Sequence, residues 1–434
     1  MRFFWSSIRR GSTLSVLDQL VVSGASLLTG VVVGRSCPQE VFGLYVLGLS
    51  IVTFGSDLQS SLIGTPYAVN SPRLKGRDLA EYTGSVLVHQ AISSAFVTLL
   101  LGGAWIAQQF GLGPRGLAPV MLTLSVISCF ILLRDFLRRL CFARLLIHTA
   151  LILDALVAIL QVGGVLTLAY FGLLSAAGAF WVIGIACLTT GLAALALGRG
   201  YYLIVPKRTI ADFRVGWSLG RWVLASSLLW GLGMNLYPWL VATFHGAAAT
   251  GIWGVCVSVV SVATPALGGV QNYLGPRIAT LFARSGPEAL RTFIGRTITK
   301  LLAVLFCCWL ILLLAGERIA VLIYDGRYSG TGSVITLLGL SLIAGTVGTI
   351  YSRVLFAIER ADIDFRVNIV TVLVLLLAGV PMVRAWGPRG AALALLLSNA
   401  FAAGIRWFLA IRLLGRIVDQ RCVLHPTVRV RTGR

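Results

Sequence analysis

The segment LSVLDQLVVSGASLLTGVVVGRSCPQEVFGLY, residues 14–45, decides the fold class. On a helical wheel at about 100° per residue, Ser15, Asp18, Gln19, Ser23, Ser26, Thr29, Gly30 and Gly34 share one side. Leu17, Leu20, Val21, Leu27, Leu28, Val31 and Val32 occupy the other. A helix of about 20 residues built this way crosses a bilayer with its small and polar side turned to a helix bundle or a watery cavity. The chain then turns at Pro38 and re-enters at Phe42-Gly43-Leu44-Tyr45.

The same unit recurs. Gly43-Leu44-Tyr45 is echoed by Gly251-Ile252-Trp253, 208 residues on. The helices that follow carry matching stripes of small or polar residues, Ser50, Thr53, Asp57, Ser60, Gly64 and Ser258, Ser261, Pro265, Gly268, Asn272. Each stripe lies on a single helix face. Ser71-Pro72-Arg73-Leu74 and Gly275-Pro276-Arg277-Ile278 repeat at an offset of 204. Offsets near half the chain length predict a duplicated bundle.

Composition agrees. With 57% hydrophobic and only 12% charged residues, the chain cannot cover a water-facing surface, so it reads as a polytopic membrane protein. Twelve spans are predicted, near residues 14–34, 41–63, 82–105, 117–137, 147–170, 176–198, 217–242, 249–271, 298–315, 333–355, 367–385 and 390–411. A net charge of +21 would suggest nucleic acid in a soluble protein. Here all Lys and Arg except Arg35, Arg115, Arg318, Arg327, Arg384 and Arg389 fall on one side of the twelve-span topology. That asymmetry places both termini in the cytoplasm, sets the basic loops against anionic membrane lipid, and leaves no role for nucleic acid. The basic start MRFFWSSIRR leads into a retained first span, because no small-x-small cleavage site follows.

The polar segment 198–216, with Pro206, is the natural joint between two six-helix lobes, 1–205 and 206–415. Residues 416–434 are basic, without apolar periodicity, and are expected to be an unstructured cytoplasmic tail. The expected fold is therefore all-α: twelve transmembrane helices in two pseudo-symmetric six-helix lobes around a central cavity.

Ionisable groups at membrane depth mark candidate sites. The set comprises Asp18, Asp57, His89, Asp154 and Arg221, with the polar Gln161, Asn235 and Asn399. His89 and Asp154 read best as structural bonds to a neighbouring helix. Asp57 lies in a continuous polar stripe, and Pro265 takes its place in the second half, where a proline permits a bend. There is no Walker loop, no HExxH and no Gly-x-Ser-x-Gly, and the eight cysteines and four histidines show no metal spacing. No enzyme, metal or cofactor is expected.

Leu17-Asp18-Gln19, the turn Pro38 to Tyr45, Tyr324-Asp325-Gly326-Arg327-Tyr328 and Trp386-Gly387-Pro388-Arg389-Gly390-Ala391-Ala392 resemble bacterial polysaccharide-biosynthesis flippases. These are the Wzx-like O-antigen and exopolysaccharide translocases of the multidrug/oligosaccharidyl-lipid/polysaccharide exporter (MOP) superfamily. The resemblance implies an inner-membrane flippase for undecaprenyl-diphosphate-linked oligosaccharide, acting by alternating access, with H+ or Na+ as a coupling ion and other polysaccharide-assembly proteins as partners. Spans 1, 2, 7 and 8 would line its cavity, giving Asp18, Asp57, Arg221, Asn235 and Asn272 as substrate-binding candidates. The alternatives are a cation-coupled multidrug exporter of the same architecture and, from a different class, a membrane glycan polymerase or ligase. The short outside connections disfavour the latter.

Overall fold

In the computed structural model, residues 2–111, 113, 114 and 116–424 are described, with side chains described for 14–417 except 112, 115, 219, 222, 230, 234 and 272. Helix α1 is Arg2–Ser36. Helix α2 is Gln39–Gln59, continued through a π-turn at Ser60–Gly64 into Thr65–Asn70. Then follow α3 Gly76–Gln109, α4 Ala118–Ala143, α5 Ile147–Tyr170 and α6 Ala176–Leu197.

The second half contains three long helical stretches, each interrupted by one glycine. Gly246, Gly286 and Gly387 have φ of 82°, 77° and 56°, a region where a side chain is strained, and each turns the chain back. Divided there, the stretches give α7 (206–245), α8 (247–261 and 264–285) and α9 (287–323), then α10 Gly332–Ala357. Helix α11 is Ala361–Val374, a π-turn at Leu375–Gly379, and 380–386; α12 is 388–424. The described chain is thus an all-helical bundle of twelve membrane helices, as its apolar patterning requires. Its last helix extends into the tail segment, to Leu424, and residues 425–434 of that tail lie outside the described residues.

The break at 262–263 has a local cause. Pro265 has no N–H to offer the Ser261 carbonyl, and the Thr264 hydroxyl donates to that carbonyl instead, at 2.5 Å.

The chain packs as two compact units, one from the start to Ser258 with Ala320–Tyr328, the other from Val259–Ile319 and the residues from Ser329 onward. In lipid the surrounding tails are as apolar as leucine, so close packing rather than water exclusion holds helices together. In the first unit α1 packs on α5, α3 on α4, and α4 on α6. Its tightest crossing joins α2 to the start of α8. A Cβ on Gly43 would lie 1.8 Å from the Ala247 carbonyl oxygen, and one on Gly251 would lie 2.4 Å from that of Gln39. Gln39 and Ala247 are themselves 208 apart, so each glycine meets the carbonyl one turn before its counterpart. The contact is reciprocal, as a two-fold axis between repeats would make it.

The repeat continues at a larger offset. Leu145 and Glu359, 214 apart, both have φ of 60°. The same cap surrounds each, with Leu146 N donating to Cys141 O and Arg360 N to Leu355 O, both at 2.8 Å. In turn, a Cβ on Gly64 would meet Arg139, and one on Gly275 would meet Arg353, at 2.8 Å in both cases. The echo at offset 204 is different. Ser71–Arg73 is a 3₁₀ turn that ends α2, whereas 275–277 lie inside α8. That offset differs from 208 by about one helical turn, which keeps the same helix face but not the same place in the repeat.

Candidate functional site: a buried carboxylate cluster and an end latch

Four helices of the first unit bring charges together. Asp18 of α1 is fully buried. Arg138, near the end of α4, donates Nη2 to Asp18 Oδ2 and Nε to Asp154 Oδ2 on α5. Arg134, one turn earlier on the same face, donates to the other Asp154 oxygen and, at 3.0 Å, to Asp135. Ser56 Oγ of α2 donates to Asp135 at 2.7 Å. Asp18 Oδ1 has no hydrogen-bond partner. Arg139 acts on Asp135 and on the neighbouring Asp57, so four carboxylates share three guanidiniums and the group lacks one positive charge. An isolated buried charge is costly, so the surplus is a feature that needs explaining.

Asp57, half-buried on α2, borders this cluster: Arg139 and Asp135 are the charges that act on it. Asn235 donates to the Gly231 carbonyl of its own helix at 3.0 Å. Arg221 lies on α7 with its side chain exposed. The side chain of Asn272 lies outside the described residues. Helix α7 is pinned along α2 by Trp239 Nε1 donating to Ser50 Oγ at 2.9 Å and Ser61 Oγ to Ser227 Oγ at 2.6 Å. His89 and Asp154 do make bonds to neighbouring helices, the imidazole Nε2 lying 2.9 Å from the Thr209 carbonyl.

Arg134 and Arg138 are the residues that sequence reasoning set aside, grouping them with the loop arginines. Arg134 lies inside the expected span, and α4 runs on to Ala143, past the expected end near 137, so Arg138 sits within the helix as well. Their i, i+4 spacing beside Asp135 is the signal that would have found them.

The second unit carries a simpler version. Arg406 of α12 donates Nε to Asp364 Oδ1 at 2.7 Å and Nη2 to Asn368 Oδ1 at 2.6 Å. Asp364 is 210 residues from Asp154 and, like it, buried near the start of its helix. Here one carboxylate meets one guanidinium, and the charge closes.

A latch closes one end of the first unit. Residues 324–328 follow α9 and fold through left-handed turns at Asp325 and Gly326 onto the α1–α2 turn. Gln39 donates to the Arg327 carbonyl at 2.6 Å and Arg327 donates to the Cys37 carbonyl at 3.1 Å, a reciprocal pair. Arg35 donates to the Leu322 carbonyl at 2.9 Å. The Tyr324 and Ser258 hydroxyls are 2.7 Å apart, and a Cβ on Gly34 would strike the Tyr324 ring. Burial pushes the Cys37 thiol and the Tyr324 and Tyr328 hydroxyls up, so all three stay neutral at physiological pH.

The model of the lipid II flippase MurJ family matches residues 258–427. No curated protein sequence matches the chain. The structure is similar to the inward-facing conformation of a multidrug resistance MATE family transporter of the MOP superfamily, at 13% identity over 94% of this chain and 99% of that one, with a TM-score of 0.75. It is also similar to a MOP superfamily transporter from Pyrococcus furiosus described by the reverse polarity of its binding pocket, at 14% identity, 95% and 96% coverage and a TM-score of 0.66. A third likeness is to the outward-facing conformation of a multidrug resistance MATE family transporter, at 14% identity, 95% and 96% coverage and a TM-score of 0.63. The fold is that of MOP-superfamily transporters.

Proposed function

We propose that this protein is a flippase that carries undecaprenyl-diphosphate-linked oligosaccharide from the inner to the outer leaflet of a bacterial inner membrane, by alternating access, for surface polysaccharide assembly. The observation that carries the reading is the match of residues 258–427 to the lipid II flippase MurJ family, in a chain whose whole length takes a transporter fold. Its two lobes, 1–205 and 206–415, enclose a hydrated lumen, and both termini are cytoplasmic. Asp18, Asp57, Arg221, Asn235 and Asn272 serve that lumen. Arg221 meets the diphosphate, for which a planar cationic fork is suited. The cluster around Asp18 and Asp154 takes up a coupling H+ or Na+, and the end latch holds the external side shut while substrate loads.

The charge surplus of that cluster also favours a second reading, a cation-coupled exporter of amphipathic cations. Reconstitution separates the two. Proteoliposomes containing the protein should move a fluorescent polyprenyl-diphosphate oligosaccharide to the opposite leaflet, read by chemical quenching of the exposed label. Transport of lipophilic cations without movement of that lipid would favour the exporter.

A further inference from the structure

Outside the cluster and the latch, the first unit holds a groove of about 470 Å³ between α2, α3 and the start of α7. This volume falls in the range of roughly 300–1,000 Å³ seen for ligand pockets. Its floor is made by Ile63, Tyr82 and Val86, all buried. Its rim is Ile92 and Phe96 on α3 and Phe213 on α7, exposed by 63%, 61% and 50%. In a membrane helix bundle, such a rim opens to hydrocarbon.

Three features make the groove a built one. First, the π-turn Ser60–Gly64 of α2 supplies Leu62 and Ile63 to its wall, and π-turns of this kind concentrate at functional sites. Second, its far wall is braced: Phe213 stacks on Trp217 and meets the His89 ring edge-on, while His89 bonds to the Thr209 carbonyl. Third, the cation beside its polar end is already engaged. Arg208 pairs with Asp78, Glu81 and Asp212, and Arg77 also pairs with Glu81, so these guanidiniums are held by carboxylates of the protein and not offered to an anionic headgroup. The groove therefore suits a hydrocarbon chain whose headgroup lies elsewhere. Helix α2 also carries Asp57 and the Ser61–Ser227 bond within two turns of the groove, so one helix joins a polar stripe to an apolar slot.

We propose that this groove holds a segment of the polyprenyl tail of the lipid-linked substrate while its diphosphate sugar is handled on the polar side of the bundle. The inference rests on the flippase reading. The test is photo-crosslinking of the reconstituted full chain with a sugar-free polyprenyl diphosphate that carries a diazirine in its tail. Adducts are expected within residues 82–96 and 209–217, competed by unlabelled polyprenyl diphosphate and not by phosphatidylglycerol at the same mole fraction. Ser93→Trp, which fills the slot, should lower adduct yield by about tenfold, the loss expected from roughly two methylenes of burial. Phe96→Ala, on the exposed rim, should lower it less, and a thermal unfolding midpoint unchanged in both variants would show that folding is intact. Adducts confined to other helices, with oligosaccharide translocation intact in Ser93→Trp, would overturn the groove and leave the flippase reading standing. No specific adduct anywhere and no translocation would overturn both. Equal competition by phosphatidylglycerol would mean that bulk lipid fills the slot, and would also overturn the proposal.

Discussion

Asp154 and Asp364 stand 210 residues apart near the start of corresponding helices, yet their surroundings differ. Asp364 has one arginine and an asparagine, and its charge is closed. Asp154 shares its two arginines with Asp18 and Asp135, and with Arg139 and Asp57 beside them the group remains one positive charge short. A balanced buried pair acts as a clamp, because breaking it strands a charge. An unbalanced one leaves a buried negative charge without a partner, the feature on which the proposed ion coupling rests. Both halves of the repeat hold a buried carboxylate, and the extra acids of the first half change what that carboxylate can do.

The comparison can be broken at several points. Arg406→Leu leaves Asp364 buried and unpaired and should cost about 3–5 kcal/mol of stability, read as a large fall in the unfolding midpoint in detergent. Gly43→Ala and Gly251→Ala each press a methyl into a backbone carbonyl at the crossing of α2 and α8. Each should cost about 1–3 kcal/mol, and because the contact is reciprocal the two losses should be similar. A much larger loss for one than the other would contradict the reciprocal crossing. Tyr324→Phe removes one latch hydrogen bond, worth about 1 kcal/mol. It should raise labelling of the buried native Cys37 by several-fold, read with a water-soluble maleimide in a background lacking the other thiols. Asp18→Asn removes the surplus charge and should change stability by less than about 1 kcal/mol, while abolishing the response of transport to an imposed pH or sodium gradient. A loss as large as that of Arg406→Leu would make Asp18 a second clamp instead.

Much of this was legible in the sequence. The small-polar stripe of residues 15–34 and the echo of Gly43-Leu44-Tyr45 at Gly251-Ile252-Trp253 pointed to membrane helices and duplication, because small residues are what lipid-embedded helices pack with. The glycines at 246 and 387 fell where turns were expected. Helix ends were less legible, since apolar patterning stops at the bilayer edge whereas the helix need not. That is why α4 continues to Ala143 and why Arg138 reads as a loop charge. The Asp18–Arg138–Asp154 cluster joins residues 120 and 16 apart in sequence, and no local spacing reports such a meeting. The offset also drifts from 208 to 214 along the repeat, so a search at one fixed offset misses the matched caps at Leu145 and Glu359.

The most direct test of the proposed flippase activity is the leaflet distribution of lipid-linked oligosaccharide in cells that lack the chain, with and without a restored copy. Accumulation in the inner leaflet, relieved by the intact protein, is the expected result. An unchanged distribution between leaflets, with surface polysaccharide still made at its normal level, would contradict it.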